Sequence, residues 1–359
     1  WYGWTLSANL HSVEVEAGIQ NGRANLSPIF CTTGTTVTIS AIPDREYRLK
    51  SLKAYKKGDL STTITLSGAT FTMPNYDVMV GVEFEPNSLT LILNGSETKT
   101  GTSLENILSC VPLDSVISLE ITGGDFLAAD WFWLLHNRSN LDKMISFSIT
   151  DDINSVADIP NNPEYFSSYF SHSVKNIRVA KLKRIGYKAF CGGGFTDVSF
   201  PHVTDLEGWV FRECKQLANV SLPLVTVLKE YSFLECKALT TISLPSLVST
   251  GYHDFKECVN LISVDMPVLT TLGYETFIDC SSLTNANFPK LTSVGSRAFS
   301  GCTALQSAEL PLAEIIEGSA FSGCIALITI SIPKVTEIQN DAFKGCTALN
   351  DITTPKLTS

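Results

Sequence analysis

The chain has 359 residues, enough for two or three domains, and 44% are apolar against 17% charged, which excludes a disordered polypeptide. Net charge is −10 and uneven: residues 1–173 carry 10 basic and 19 acidic groups, residues 174–359 carry 16 and 17. Neither part has the basic excess that follows a phosphate backbone, so nucleic acid is not an expected partner, and no run of about 18 apolar residues is present to span a membrane. The chain begins at Trp1 rather than Met, so a signal peptide, anchor or tag is expected to have preceded it.

Residues 1–86 form the first expected domain, small and β-rich. Threonine and apolar residues alternate through Thr36-Val37-Thr38-Ile39-Ser40-Ala41, the period of a half-buried strand. Further strand signals follow at Tyr47, Leu52, Ala54 and Tyr55, punctuated by Gly, Asn and Pro. The closing pattern F-T-M-P-x-x-D-V-x-V runs from Phe71 to Val80. It is similar to bacterial surface repeat domains of the internalin B-repeat kind. Those carry Gly-Tyr ahead of a mid-domain Trp, where this chain has Glu46-Tyr47 and a later Tyr55.

Residues 87–173 form a second segment. Gly101 to Leu108 reads as a short capped helix, and Asp130 to Leu135 has a helical apolar pattern. A strand is expected at Leu141 to Thr150. The acidic loop of Asp151, Asp152 and Asp158 reads as solvated rather than catalytic.

From residue 174 onward the chain repeats. Cys214, Cys236, Cys258, Cys280, Cys302, Cys324 and Cys346 are each 22 residues apart, and so are the phenylalanines from Phe211 to Phe343. Prolines from Pro201 to Pro355 keep the same step. One unit reads Leu217, Val220, Leu222, Pro223, Val225, Leu228, Phe233, Cys236. A fixed period of this length with regular leucine means a solenoid, and it falls in the leucine-rich-repeat range. Val220 and Leu222 alternate into the core from a short strand, Pro223 ends that strand, and Leu228 and Phe233 fill the coil from its return path. No single coil buries these groups; stacking does. Eight coils at the strand spacing would span about 38 Å. Near its start the array is irregular: Ala180 replaces the proline, and the unit containing Cys191-Gly192-Gly193-Gly194 is one residue short, closed with the help of its glycines. At Lys356-Leu357-Thr358-Ser359 no amphipathic cap is visible, so a partner, a further tail or a tolerated open edge is expected there.

The phrases AFSGC-x-x-L (298–305), L-x-x-V-x-L-P and AFKGC-x-x-L (342–349) resemble the BspA-like, or treponemal-type, leucine-rich repeats. The stretch 115–134 followed by 141–150 is similar to the amino-terminal cap of such proteins. The expected architecture is therefore an α/β solenoid, a leucine-rich repeat of 22-residue period with a cap at 87–173, preceded by a small all-β domain at 1–86. What the resemblance implies is a bacterial binding or adhesion protein, secreted or displayed on the cell surface, with a protein or glycan partner. It brings no catalytic residues and no cofactor. The alternative is a cell-envelope scaffold or self-associating protein without a specific host ligand.

The residues themselves agree with a non-enzyme. Seven cysteines aimed the same way cannot converge tetrahedrally on zinc, and parallel Cβ atoms about 4.8 Å apart exceed disulfide reach. They read as buried thiols whose weak S–H meets a backbone carbonyl. Cys31 and Cys110 stand outside the ladder, free or paired. The five histidines, His11, His136, His172, His202 and His253, show no metal-ligand spacing, and there is no nucleophile elbow or phosphate loop. Two exposed columns remain. The strand column, Ser199, Ser221, Ser243, Asp265, Asn287, Glu309, Ser331 and Thr353, is small and polar. The second holds Tyr187, Trp209, Tyr231, Tyr252 and Tyr274, an aromatic ridge that stops about halfway along the array. Such rings suit a binding face. They would equally serve to shield the loop before each Phe or to meet the amino-terminal domain.

Overall fold

The computed structural model describes residues 10–354, apart from residues 45, 154, 162–169 and 171. Trp1, Pro355 and the stop at Lys356–Ser359 lie outside the described residues. The chain divides into two compact units, residues 1–88 with 101–103, and residues 89–100 with 104–359.

The first unit contains a five-stranded and a three-stranded sheet. In the larger, the strands run in the order Phe30–Cys31, His11–Val15, Val78–Pro86, Tyr47–Lys56, Asp59–Ile64. The smaller joins Gly22–Ser27, Thr36–Pro43 and Thr70–Thr72 antiparallel. The alternation read from Thr36 is observed: Val37 and Ile39 are buried while Thr36, Thr38 and Ser40 are exposed. Each apolar letter of the closing pattern enters the core, as Phe71, Met73, Val78 and Val80, while its Asp77 accepts the backbone N–H of Ser12 at 2.7 Å. The pattern thus records two sheets meeting at one core and a carboxylate that pins the first strand.

The second unit is a solenoid of about eight turns. It starts with strand Leu89–Leu93, antiparallel to Ser118–Gly123. From there every strand pairs in parallel with the next, through Ser146–Ile149, Asn176–Val179, Asp197–Ser199 and Asn219–Ser221. Ser118, Ser146, Asn176, Asp197 and Asn219 stand in register, so the first two of these coils are longer than the regular unit and the next two close to it. Helix Ala128–Asn137 occupies the way round in the first of them. Its Trp131, Leu134 and Leu135 are buried, and Trp131 packs edge-on against Phe126 at 4.7 Å. Asp130, buried at its first turn, accepts N–H groups from Leu127 and from Leu104, which opens helix Leu104–Leu108. One carboxylate therefore caps both helices and ties them together.

The α/β description fits that cap segment alone. Among the described residues of the later coils there is no helix. The return path is a run of turns with left-handed residues in each coil, such as Tyr231 (φ 59°) and Glu235 (φ 56°). Residues in that conformation interrupt any helical hydrogen-bond ladder, so the coil returns as turns and stays short.

Inside, phenylalanines stack coil on coil from Phe190 to Phe343. Successive ring centroids are 5.0–5.6 Å apart with interplanar angles of 2–22°. The spacing is the strand repeat imposed on side chains. The short coil closes through its glycines as expected: a Cβ on Gly193 would sit 1.9 Å from the Phe195 ring, and one on Gly194 2.0 Å from the His172 carbonyl oxygen.

The cysteine ladder lies beside the rings. Each thiol donates to the Phe carbonyl of the preceding coil: Cys236 Sγ to Phe211 O at 3.2 Å, Cys258 to Phe233 at 3.2 Å, Cys280 to Phe255 at 3.1 Å. The same oxygen of Phe233 also accepts its own coil's Cys236 N–H at 3.1 Å. The backbone bond uses one lone pair, and the small thiol reaches the other. All the cysteines are free. Burial pushes the Cys258 thiol up to about 12 and Cys191 to about 11, so these sulfurs stay protonated and inert. Cys110 is exposed. Native-state alkylation at neutral pH should therefore modify Cys110 first and leave Cys214 through Cys302 untouched until the protein unfolds, as read by mass spectrometry with and without denaturant.

Candidate functional site

The aromatic ridge occupies the return path, where the backbone of each coil enters the left-handed region. Lys188, Trp209, Tyr231, His253, Glu275, Arg297, Ser319 and Asp341 hold equivalent places with φ of 52–64°. A second left-handed column follows: Glu213, Glu235, Glu257 and Asp279, then Gly301, Gly323 and Gly345. Glycine is the ordinary occupant of such a position, because a side chain there costs on the order of 1 kcal/mol. The second column, which begins at Gly192, adopts glycine there and in its last three coils; the first never does.

The rings expected to form a ridge are brought together, with one exchange. Tyr187 and Trp209 centroids lie 6.1 Å apart, Trp209 and Tyr231 4.9 Å, Tyr231 and His253 4.8 Å with near-parallel planes. His253 meets Tyr274 edge-on at 5.3 Å. Tyr252 stands one residue before His253, 62% exposed, and the imidazole takes its place in the stack. A strict one-period step from Trp209 and Tyr231 reaches His253, whereas Tyr187, Tyr252 and Tyr274 belong to the neighbouring position. In the sequence the two columns read as one because both carry aromatics. Two cations complete the ridge: Lys188 Nζ lies 4.7 Å and the Arg212 guanidinium 4.3 Å from the Trp209 ring centroid.

Past His253 the ridge becomes polar. Glu275 is nearly buried, 6% exposed at its side chain, with Arg297 Nη1 at 3.2 Å and Lys256 Nζ at 3.5 Å. Burial alone would raise its pKa. The hydrogen bonds from Tyr274 and Arg297 and the charge of Lys256 outweigh that, and the carboxyl is held below its usual range. His253 Nδ1 is 3.1 Å from Glu275 Oε2 but out of line for a hydrogen bond. Burial lowers its pKa, which favours the neutral imidazole.

Directly below lies Asp254, fully buried where other coils have Ser232, Thr276, Ala298 or Ala320. Its carboxyl accepts Ser232 N–H at 3.0 Å and Gly251 N–H at 2.6 Å. Burial dominates over those two bonds and pushes its pKa up to about 8. Among the described residues no cluster of His, Cys, Asp and Glu is arranged to hold a metal ion. The arrangement is a row of half-buried rings with two cations packed against Trp209, one of them, Lys188, buried.

The profile of the BspA type leucine rich repeat region matches residues 162–284 and 270–359, and that of the divergent InlB B-repeat domain matches residues 11–88. Similar solved structures include a leucine-rich repeat protein from Bacteroides ovatus, 22% identical over 65% of this chain and 77% of that one, with a TM-score of 0.45. A leucine rich repeat protein of T. pallidum is 20% identical over 66% of this chain and 84% of its own, TM-score 0.37. A leucine rich cell surface protein of Faecalibacterium prausnitzii is 20% identical over 66% and 90%, TM-score 0.33. A search of curated proteins finds no match.

Two stability measurements test this geometry. Glu257→Gly should stabilise the fold by about 0.5–1 kcal/mol in urea unfolding, since glycine relieves the left-handed strain that the same column avoids at Gly301. Asp254 has a folded-state pKa above its unfolded one, so the folded state binds more protons between about pH 4 and about pH 8. Its contribution is greatest below that window and is lost as pH rises through it. Asp254→Asn should flatten this fall in the urea midpoint between pH 5 and pH 8.5; an unchanged profile would assign the pH dependence elsewhere.

Proposed function

This chain belongs to the BspA-type leucine-rich-repeat family, and we propose that it is a surface-displayed bacterial binding protein whose contact face is the ridge from Tyr187 to Tyr274. The solenoid supplies a rigid frame and the amino-terminal β unit a spacer, with domains at 1–86, 87–173 and 174–359. Display outside the cell follows the habit of the family. No helix among the described residues is long and apolar enough to cross a membrane.

One observation carries the reading. Trp209, Tyr231 and His253 are bulky rings kept at positions where glycine would relieve strain. The same backbone position carries Lys188, Glu275, Arg297, Ser319 and Asp341 in other coils, so what points to recognition is the run of adjoining rings, 4.8–6.1 Å apart from Tyr187 to Tyr274, and not the strain. The rings also favour one partner class. Tyr231 and His253 cover each other's faces, Tyr187 and Tyr231 stand tilted against Trp209, and Lys188 and Arg212 lie over the Trp209 ring, so edges and hydroxyls are most of what these stacked rings offer. Stacking on a sugar needs an open face, whereas a protein surface is met well by ring edges, arginine and tyrosine hydroxyls. The partner is therefore a protein on a host or neighbouring cell.

Binding of the purified chain to a panel of immobilised extracellular-matrix proteins and mucins tests this. At least one should bind, and the triple variant Trp209→Asn, Tyr231→Asn, Tyr252→Ser should weaken it at least tenfold with an unchanged thermal transition. Asparagine is chosen because it tolerates the left-handed backbone. Undiminished binding would rule out the ridge as the contact face.

A further inference from the structure

A second candidate site lies on the strand face, away from the ridge. Strands Ser146–Ile149, Asn176–Val179, Asp197–Ser199 and Asn219–Ser221 carry an open trough of about 380 Å³. That is within the range of small-ligand clefts, about 300–1,000 Å³. Its floor is backbone, because Phe147, Ile177 and Val198 turn inward and are 1–3% exposed. Outward side chains on either side of these central residues make two parallel walls that cross the strands. One wall is Ser146, Asn176, Asp197, Asn219; the other is Ser148, Arg178, Ser199, Ser221. Serines keep the second wall low. The row continues through Ser243 to Asp265, Asn287 and Glu309, while the trough ends at Ser221. The sheet ends there too: Asn219–Ser221 is its last strand, and Thr241–Ser243 begins a separate one.

The charges of the walls are already engaged. Asp197 accepts from Thr196 Oγ1 and from Asn219 Nδ2, at 2.6 and 2.5 Å, while Arg178 faces Asp151 at 3.8 Å and Ser199 Oγ at 3.5 Å. Ser146, Ser148, Asn176 and Ser221 make no side-chain hydrogen bond among the described residues. The trough thus carries one guanidinium and one carboxylate of opposite sign, Arg178 and Asp197, among hydroxyls and amides that repeat strand by strand, about 4.8 Å apart, over a floor of Cα and Cβ carbons. A ligand that matches is uncharged, linear, rich in hydroxyls, and repeats at nearly the strand spacing. The pyranose ring of an extended β-linked glycan does all of this. An extended peptide repeats its side chains every two residues, about 6.6–6.8 Å, and falls out of step.

We propose that the strand face between Ser146 and Ser221 binds a linear neutral glycan lying across the strands, one sugar ring per coil. This site is independent of the ridge, so the two fail separately. The probes are β-1,4-linked oligosaccharides of glucose, mannose and xylose, two to six rings long, titrated by calorimetry against the full chain. Affinity for at least one series should rise to four rings and then level, matching the four strands. Ser199→Leu, which fills the trough from outside the core, should reduce that affinity at least tenfold, and Asn176→Ala by about tenfold, the worth of a hydrogen bond of about 1.4 kcal/mol. The ridge triple variant should leave it unchanged. Absence of millimolar binding to all three series, binding that ignores ring number, or binding insensitive to Ser199→Leu would each overturn the proposal. So would capture of extended peptides at the trough without any glycan.

Discussion

Everything in the solenoid depends on one constraint: each coil must close so that its phenylalanine lands over the phenylalanine of the coil before. The rings stack at 5.0–5.6 Å because the backbone ladders on either side repeat at nearly that distance. The thiol beside each ring meets a carbonyl of the coil before, so the buried second lone pair of that oxygen is not left bare. Serine is of similar size but brings a stronger polar group into an apolar wall, and leucine would not fit between stacked rings. Cysteine is small, apolar enough to bury and still a donor. This accounts for its recurrence without any redox or metal chemistry.

Fixing the interior leaves the outside free to vary. The coil backbone imposes left-handed residues on the return path whatever their side chains, and the chain places Trp209, Tyr231 and His253 there in the middle coils and Ser319 and Asp341 later. The strand face varies likewise, with Arg178 and Asp197 among serines and asparagines in the first sheet and Asp265 and Glu309 among them in later coils. Exposed side chains can then change without repacking the core, since each outer column is carried on a frame that does not depend on it.

The solenoid was legible because every inward position repeats. Phe233, Cys236, Leu239 and Leu244 each have a counterpart one period on, and all four are buried. The alternation at Thr36–Ala41 gave its strand for the same reason, a period matched to a geometry. What escaped was set by backbone conformation and by burial. The strict 22-residue step places Tyr231 and His253 in one column, but no residue type announces that this column is left-handed and that Tyr252 lies outside it. Nor does composition show that Asp254 sits in the core, because an aspartate next to a histidine looks like surface. The longer first coils, from Ser118 to Ser146 and from Ser146 to Asn176, carry no repeat letters and were readable only as a helix and a strand. The α/β expectation failed beyond them because the return path of the short coils has no room for a helical turn that keeps its hydrogen bonds.

The phenylalanines act as one coupled column rather than as separate space-fillers. A double-mutant cycle on Phe233 and Phe255, whose rings are 5.3 Å apart and 2° from parallel, measures this directly by urea unfolding of Phe233→Leu, Phe255→Leu and the pair. A coupled column gives about 0.5–1.5 kcal/mol of interaction energy between the two sites. Additive losses, with coupling indistinguishable from zero, would contradict it.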